Sequence, residues 1–284
     1  MMMQDWPTVE VQARHLLEQY PRYAPYLRRI QVQAMLHTGK FDAAKTELAP
    51  ILSQRRPHWA LLQQARLEME SGQHQRCQAL CEEALSTNKY LVEAYDLQSE
   101  NLMRGGDPDQ ARQLLKKALE ISPYQLQRLQ QFFQLSLRTG RQNDTLQAAR
   151  QMYELTRRAG SNDPKQLLNY VRCLLNAVSA STEASQKNRL QQESLLIMHR
   201  ARRDEHLLRK MDYECFERLC MARLDAADGR HLQARRSCQE LALQLGEEDP
   251  LCCDLAMLCN QIGEFELAEQ LEPAARLDAD PIAL

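Results

Sequence analysis

Nine cysteines and seven histidines are the residues of this chain with chemical reach beyond packing. Cys77 and Cys81 stand one helical turn apart, and Cys252, Cys253 and Cys259 gather near the end. Thiolates so close could hold zinc or exchange disulfides. No CxxC pair and no histidine at ligand spacing completes such a set, and a chain of this size without an export signal does not read as a disulfide scaffold. Cys77, Cys81 and Cys238 fall on the core side of helical patterns, so the expectation is reduced thiols packed as small hydrophobes, with no metal and no cofactor. The histidines form no HExxH, no Gly-x-Ser-x-Gly elbow is present, and no glycine-rich loop could cradle phosphate. The expected protein is therefore not an enzyme.

One further segment carries concentrated charge: His199-Arg200-Ala201-Arg202-Arg203-Asp204-Glu205-His206, with Arg209 and Lys210 beyond it. Carboxylates interleave with its cations, and it lacks aromatics that could stack on bases. It reads as a solvated helix face rather than a nucleic-acid site. Across all 284 residues the net charge is -2 and the pI about 6.4, which calls for neither nucleic acid nor an anionic membrane.

The elements that position these residues are helices. Leucine, alanine, glutamine and arginine dominate over valine and isoleucine, and no stretch alternates apolar with polar side chains. A hydrophobic content of 44% is enough for one elongated domain or two compact ones. No apolar run approaches the roughly 20 residues of a membrane span. Met1-Met2-Met3-Gln4-Asp5 leads into polar helical sequence without a signal-peptide core, so the expected compartment is the cytoplasm.

Periodicity is the main signal. Gly39, Gly72, Gly106 and Gly140 follow one another at 33, 34 and 34 residues, and Gly229 and Gly263 are again 34 apart. Five positions after each stands a small residue: Ala44, Cys77, Ala111, Thr145, Ala234 and Ala268. Seven positions before, the facing helix offers Val32, Ala65, Ser99, Phe133, Ala222 and Ala256. Antiparallel helices that cross closely need small side chains at the contact, because large ones push the axes apart. Pro57 and Pro123 end second helices, while Asp107-Pro108, Asp163-Pro164 and Asp249-Pro250 supply a capping aspartate followed by a proline suited to the first helical position.

These signals predict a half-repeat helix over about Thr8–Tyr20 within residues 1–22, then four regular pairs over 23–160. An irregular repeat over 161–210 follows, because Gly140 to Gly229 spans two repeats plus about 21 extra residues. Its helices are predicted at Asp163–Val178 and Asn188–Leu208, with a polar loop over Ser179–Gln186. Two pairs over 211–273 complete the array, the last cut short at Glu272-Pro273, and 274–284 form a tail.

The run Ala94-Tyr95-Asp96-Leu97 through Gly106-Asp107-Pro108-Asp109-Gln110-Ala111 to Ala118-Leu119-Glu120-Ile121-Ser122-Pro123 resembles the tetratricopeptide repeat family, and the pattern covers most of the chain. The family's aromatic two residues after the turn glycine is kept in Phe41 and Phe265 and replaced elsewhere by His74, Pro108, Gln142 and His231. Asn88-Lys89-Tyr90-Leu91-Val92-Glu93-Ala94-Tyr95-Asp96-Leu97 with Ile121-Ser122-Pro123 also resembles the tetratricopeptide half of bacterial response regulators, although no receiver domain with its phosphoacceptor aspartate is present. The resemblance implies an all-α tandem helix-turn-helix superhelix, an α-solenoid, that binds a protein or peptide in its concave groove as a scaffold or adaptor.

In such a stack the first helices line the groove, which places Tyr26, Arg29, Gln33, Trp59, Arg66, Glu93, Asp96, Glu100, Gln130 and Gln134 as partner-binding candidates. Arginine and aromatic residues anchor interfaces. The lysine and asparagine clamp that chaperone-binding relatives use for a carboxylate tail is replaced by Gln63, Glu93 and Leu97. The helix before Pro21 is a second helix without a first, so an upstream domain or a second copy of the chain is expected to cover it. The alternatives are a self-associating structural component and, more distantly, a nucleic-acid-binding helical repeat.

Overall fold

The computed structural model describes residues 5–160, 163–204, 212–246, 249 and 251–278, the residues after Leu271 by backbone alone. Fifteen α-helices and one short 3-10 turn, Pro21–Tyr23, account for most of these residues, and no strand occurs among them. The chain divides into two compact units, residues 1–141 and 142–284.

The first unit contains α1 (Trp6–Gln19), α2 (Ala24–His37), α3 (Phe41–Gln54), α4 (His58–Glu70), α5 (His74–Thr87), α6 (Val92–Arg104), α7 (Pro108–Ile121) and α8 (Leu126–Arg138). Each regular pair closes in the same way. In α2/α3, the turn glycine Gly39 takes φ +73°, its N–H donates to the Leu36 carbonyl at 3.2 Å, and the next N–H, of Lys40, reaches back to Met35 at 2.9 Å. These two hydrogen bonds satisfy carbonyls that the helix end would leave open, and they need a left-handed residue. The bonds recur at Gly72, Gly106 and Gly140, with Gln73, Asp107 and Arg141 in the place of Lys40.

Small residues let the paired helices meet. Ala44, Cys77 and Ala111 have no exposed surface, and neither do Val32 and Ala65 on the facing helices; Ser99 is 3% exposed and donates its hydroxyl to the Ala111 carbonyl across the crossing. Around these contacts the core grows in layers that cross repeat boundaries. Val32, Met35, Ala44 and Leu48 pack with Ala60 and Leu67 of the next pair, and Ala65, Met69, Cys77 and Cys81 with Leu97 of the one after.

The second unit contains α9 (Gln142–Arg158), α10 (Pro164–Ala180), α11 (Ala184–Ala201), α12 (Tyr213–Ala227), α13 (His231–Gln244), α14 (Leu251–Ile262) and α15 (Phe265–Asp278). Gly229 and Gly263 close α12/α13 and α14/α15 with the same pair of bonds. Two ionic knots tie its helices. Arg150 of α9 donates to the Tyr170 hydroxyl of α10 at 2.9 Å and pairs with Glu193 of α11 at 2.7 Å, while Tyr170 also bonds Glu193. Arg172 of α10 and Arg223 of α12 share Asp254 of α14, at 2.5 and 3.6 Å.

Helix boundaries depart from expectation in four places. Helix α1 begins at Trp6 rather than Thr8, because Asp5 accepts from the Thr8 N–H and Pro7 occupies the first turn. The loop expected over 179–186 shrinks to Ser181–Glu183, since Ala180 and Ala184 carry helix on either side. Helix α11 ends at Ala201 and residues 202–204 leave the helix in a turn, while 205–208 of its predicted span lie outside the described residues. Helix α15 passes through Pro273 to Asp278: the proline removes one helical bond, to the Glu269 carbonyl, and the alanines, arginine and leucine after it favour helix.

Eight of the nine cysteines are buried and all are free thiols; Cys253 is half-buried. Burial pushes the Cys173 thiol up to about 12 and the Cys215 thiol up to about 11, so both stay protonated at neutral pH. Among the described residues no group of three or more His, Cys, Asp or Glu side chains is placed to hold a metal ion. No helix there is long and apolar enough to cross a membrane.

Ala111 has no room for a larger side chain, so Ala111→Leu is expected to overpack the α6/α7 crossing and cost on the order of 1–3 kcal/mol, read as a lowered midpoint in urea.

Candidate functional site

The candidate residues all lie on the first helices of the first unit, α2, α4, α6 and α8. The structure sorts them into free and occupied groups. Tyr26 is 65% exposed, and Arg29 and Arg66 are exposed with no ion-pair partner among the described residues. Gln33 is half-buried, and so is Trp59, which rests on the core formed by Val32, Met35 and Leu48. Trp59 therefore supports the fold as well as presenting an edge. Glu93 is exposed and has no ion-pair partner among the described residues. Glu100 shares Arg104 with Glu70 of α4, at 3.0 and 2.9 Å.

Asp96 is engaged more deeply. Its two carboxylate oxygens accept from Nε and Nη2 of Arg128, each at 2.7 Å, and Arg128 also donates to the Ser122 carbonyl at 3.3 Å. The Arg128 side chain is only 5% exposed. This fork of parallel bonds spends Asp96 on joining α6 to α8 rather than on a partner. Arg128 was absent from the sequence candidates, but a signal for it existed. Twelve positions before the turn glycine, the three preceding repeats place Leu27, Ala60 and Ala94, all buried. A guanidinium in that register has to find a carboxylate, and Asp96 of the preceding repeat supplies it.

Beside this pair a cleft of about 400 Å³ opens between α6 and α8. Asp96, Glu100 and Met103 form one wall, Gln127, Gln131, Gln134 and Arg138 the other, with Leu115 of α7 beneath. Gln134 lines the cleft, as does Gln131 on the same helix, whereas Gln130 is exposed and outside it. A single stripe of positions on an ideal helix misses side chains that slant across the groove between two helices.

At the other end, the His37 ring stacks on Trp6 of α1 with centroids 4.1 Å apart and planes 12° from parallel. Partial burial, and then the charge of Arg66, hold His37 below its ordinary pKa. The basic run lies in the second unit, where Arg200 and Asp204 line a cavity of about 410 Å³ with Tyr153, Arg157, Asp163 and Leu167. Arg157 there pairs with Glu154 at 2.8 Å; Glu205, His206, Arg209 and Lys210 of the run lie outside the described residues.

Antiparallel helix pairs, closed at a left-handed glycine and stacked through small-residue contacts at a 33- or 34-residue period, define a repeat protein of the tetratricopeptide type. Residues 92–125, which span α6, α7 and the loop before α8, match the tetratricopeptide repeat family. Among solved structures, one of Naa15/Naa10 bound to HypK-THB superposes on 92% of this chain with a TM-score of 0.59 and 13% identity, and the match spans 37% of that longer chain. A tetratricopeptide repeat protein from Parabacteroides merdae is similar over 91% of this chain and 93% of its own, at a TM-score of 0.43 and 12% identity. MamA is similar over 55% of this chain and 91% of its own, at 0.45 and 13%. No curated protein matches the chain by sequence.

Two outcomes test this geometry. Asp96→Asn leaves Arg128 buried beside a neutral amide; because Asp96 is partly exposed, the expected cost is about 2 kcal/mol, below the 3–5 of a fully buried pair, whereas Glu93→Gln should change the urea midpoint little. Since His37 titrates lower folded than unfolded, the unfolded chain takes up the proton first, and stability should fall as pH drops below about 6.5. The change in Trp6 fluorescence on titration should have its midpoint below that value, and Arg66→Ala should move it upward.

Proposed function

We propose that this chain is a non-enzymatic scaffold that binds a partner protein or peptide on the first-helix face of its first unit. The observation that carries the reading is the open cleft between α6 and α8, where Gln127, Gln131 and Gln134 face Asp96, Glu100 and Met103. Side-chain amides donate and accept at once, so a row of them suits the alternating N–H and C=O groups of a bound backbone. Arg29, Arg66, Glu93 and Arg138 have no ion-pair partners among the described residues, which leaves both signs of charge available beside the exposed ring of Tyr26. Tyr26, Arg29, Arg66, Glu93 and Gln134 are the contact residues we favour, with Asp96 acting through Arg128 to fix the cleft wall. The cytoplasm is the compartment assigned to this scaffold. A place in bacterial signal transduction is supported by the likeness of Asn88–Leu97 to receiver-linked repeats.

The test is affinity capture on the full chain, comparing proteins retained at low and high salt. Arg66→Ala with Gln131→Ala should weaken the retained partner about tenfold without loss of helicity. Undiminished retention by that variant would move binding off this face.

Exposed apolar side chains on α1 and just past its end favour a second reading, self-association: Val11 is 66% and Leu16 38% exposed, and Tyr20 beyond the helix 51%. Sedimentation showing a dimer that Val11→Glu disperses would support it, and a monomer at every concentration would exclude it.

A further inference from the structure

Four loops of the first unit join one helix pair to the next: Tyr20–Tyr23, Arg55–Pro57, Asn88–Leu91 and Ser122–Gln125. None contains a carboxylate, while together they carry Arg22, Arg55, Arg56 and Lys89. Sixteen positions before successive turn glycines stand Tyr23, Arg56, Tyr90 and Tyr124. The three tyrosines are 63, 64 and 72% exposed. A single exposed ring is ordinary on a protein surface. Three in one register, with a guanidinium in the fourth place, make a row.

The row is built on neighbouring elements. His58 Nδ1, just past the second loop, lies 2.9 Å from the Thr87 hydroxyl at the edge of the third. Arg56 reaches forward to Glu83 of α5 with two bonds of 2.5 and 2.6 Å, and it holds φ 44°, the one positive value outside glycine among the described residues. Lys89 sets its ammonium 5.2 Å from the Tyr90 ring centre. The Ser122 carbonyl of the fourth loop is held by Arg128, whose other bonds grip Asp96 of the preceding pair. Helix α2 packs on α4 and α4 on α6, while Arg128 ties α8 to α6, and packed helices lie about 8–10 Å apart, so the row repeats at roughly that interval.

We propose that this loop edge is a second docking surface, distinct from the first-helix face, for an extended acidic segment of a partner protein. Tyrosine and arginine are the residue types that anchor interfaces, and the carboxylate-free loops favour a partner of negative charge. In a polyproline II segment three residues make one turn of about 9 Å, so the partner turns an apolar side chain toward the row at every third position, with aspartate or glutamate between. Nucleic acid fits less well. Bases recur every ~3.4 Å along a stacked strand, three for each ring offered, whereas the charge left by Arg22, Arg55 and Lys89 once Glu83 has paired with Arg56 is spread one to a loop.

A display library of random twelve-residue peptides, panned on the full chain, tests this. The selected pool is expected to contain a class rich in aspartate and glutamate with leucine or aromatic residues three apart. Members of that class should lose about tenfold in affinity on Tyr90→Ser with Tyr124→Ser, while Arg66→Ala on the first-helix face leaves them unchanged. Arg55→Glu with Lys89→Glu should abolish the acidic preference, and circular dichroism should show the same helicity for every variant. The proposal is overturned if no acidic class emerges, if that class binds the tyrosine variant as well as the parent, or if a twelve-nucleotide oligothymidylate binds the same loops more tightly.

Discussion

Close approach of two antiparallel helices is the constraint on which the rest of the molecule depends. Each pair of the first unit can meet at its crossing only because Ala44, Cys77 or Ala111 presents almost no side chain there, and the left-handed glycine before it lets the chain reverse with its carbonyls satisfied. Once the pair has closed, its apolar surface is still incomplete. Ala60 and Leu67 complete the layer begun by Val32 and Met35, and Leu97 completes that of Ala65 and Met69, so each pair needs the next to finish its core. The first helices are thereby set side by side, and the cleft at α6/α8 and the row of loop tyrosines both follow from that stacking.

Charge then distinguishes faces that packing alone would leave alike. Arg128 with Asp96, and Arg104 between Glu70 and Glu100, turn candidate ligands for a partner into ties between repeats. In the second unit the Arg150–Tyr170–Glu193 and Arg172–Asp254–Arg223 groups do similar work where the regular glycine period lapses. Helices α9, α10 and α11 have 17, 17 and 18 residues, against 13 or 14 in α2 through α8, so part of the extra sequence between Gly140 and Gly229 is spent on longer helices.

Much of the fold was legible in the sequence because its determinants are local and repeated. A glycine at fixed period, a small residue five positions on and a capping aspartate each act within one turn or one crossing, so Ala44, Ala111 and Ala234 could be placed without coordinates. The stops at Ser179 and Pro273 were misjudged because polar and proline signals are weak against strong flanking helix formers. The candidate site was less legible. A helical stripe identifies which side chains face a groove, but it cannot show that Asp96 is already taken, because its partner lies 32 residues away. Nor could it show that Gln131, about 100° round the helix from Gln130, is the one that lines the cleft.

Arg128 also bears on how such an array could have evolved. Repeats that bury alanine at this register, as at Ala60 and Ala94, impose no electrical requirement on whichever neighbour precedes them. A repeat that buries a guanidinium does: its predecessor must offer a carboxylate where Asp96 stands, and the matching positions in the two earlier repeats are Arg29 and Leu62. Transposing or duplicating the repeat that carries Arg128 behind either of those would strand a cation in a nearly dry site. The order of these repeats is written into the chain as a directional code, and recombination that shuffles interchangeable modules is closed to it at this junction.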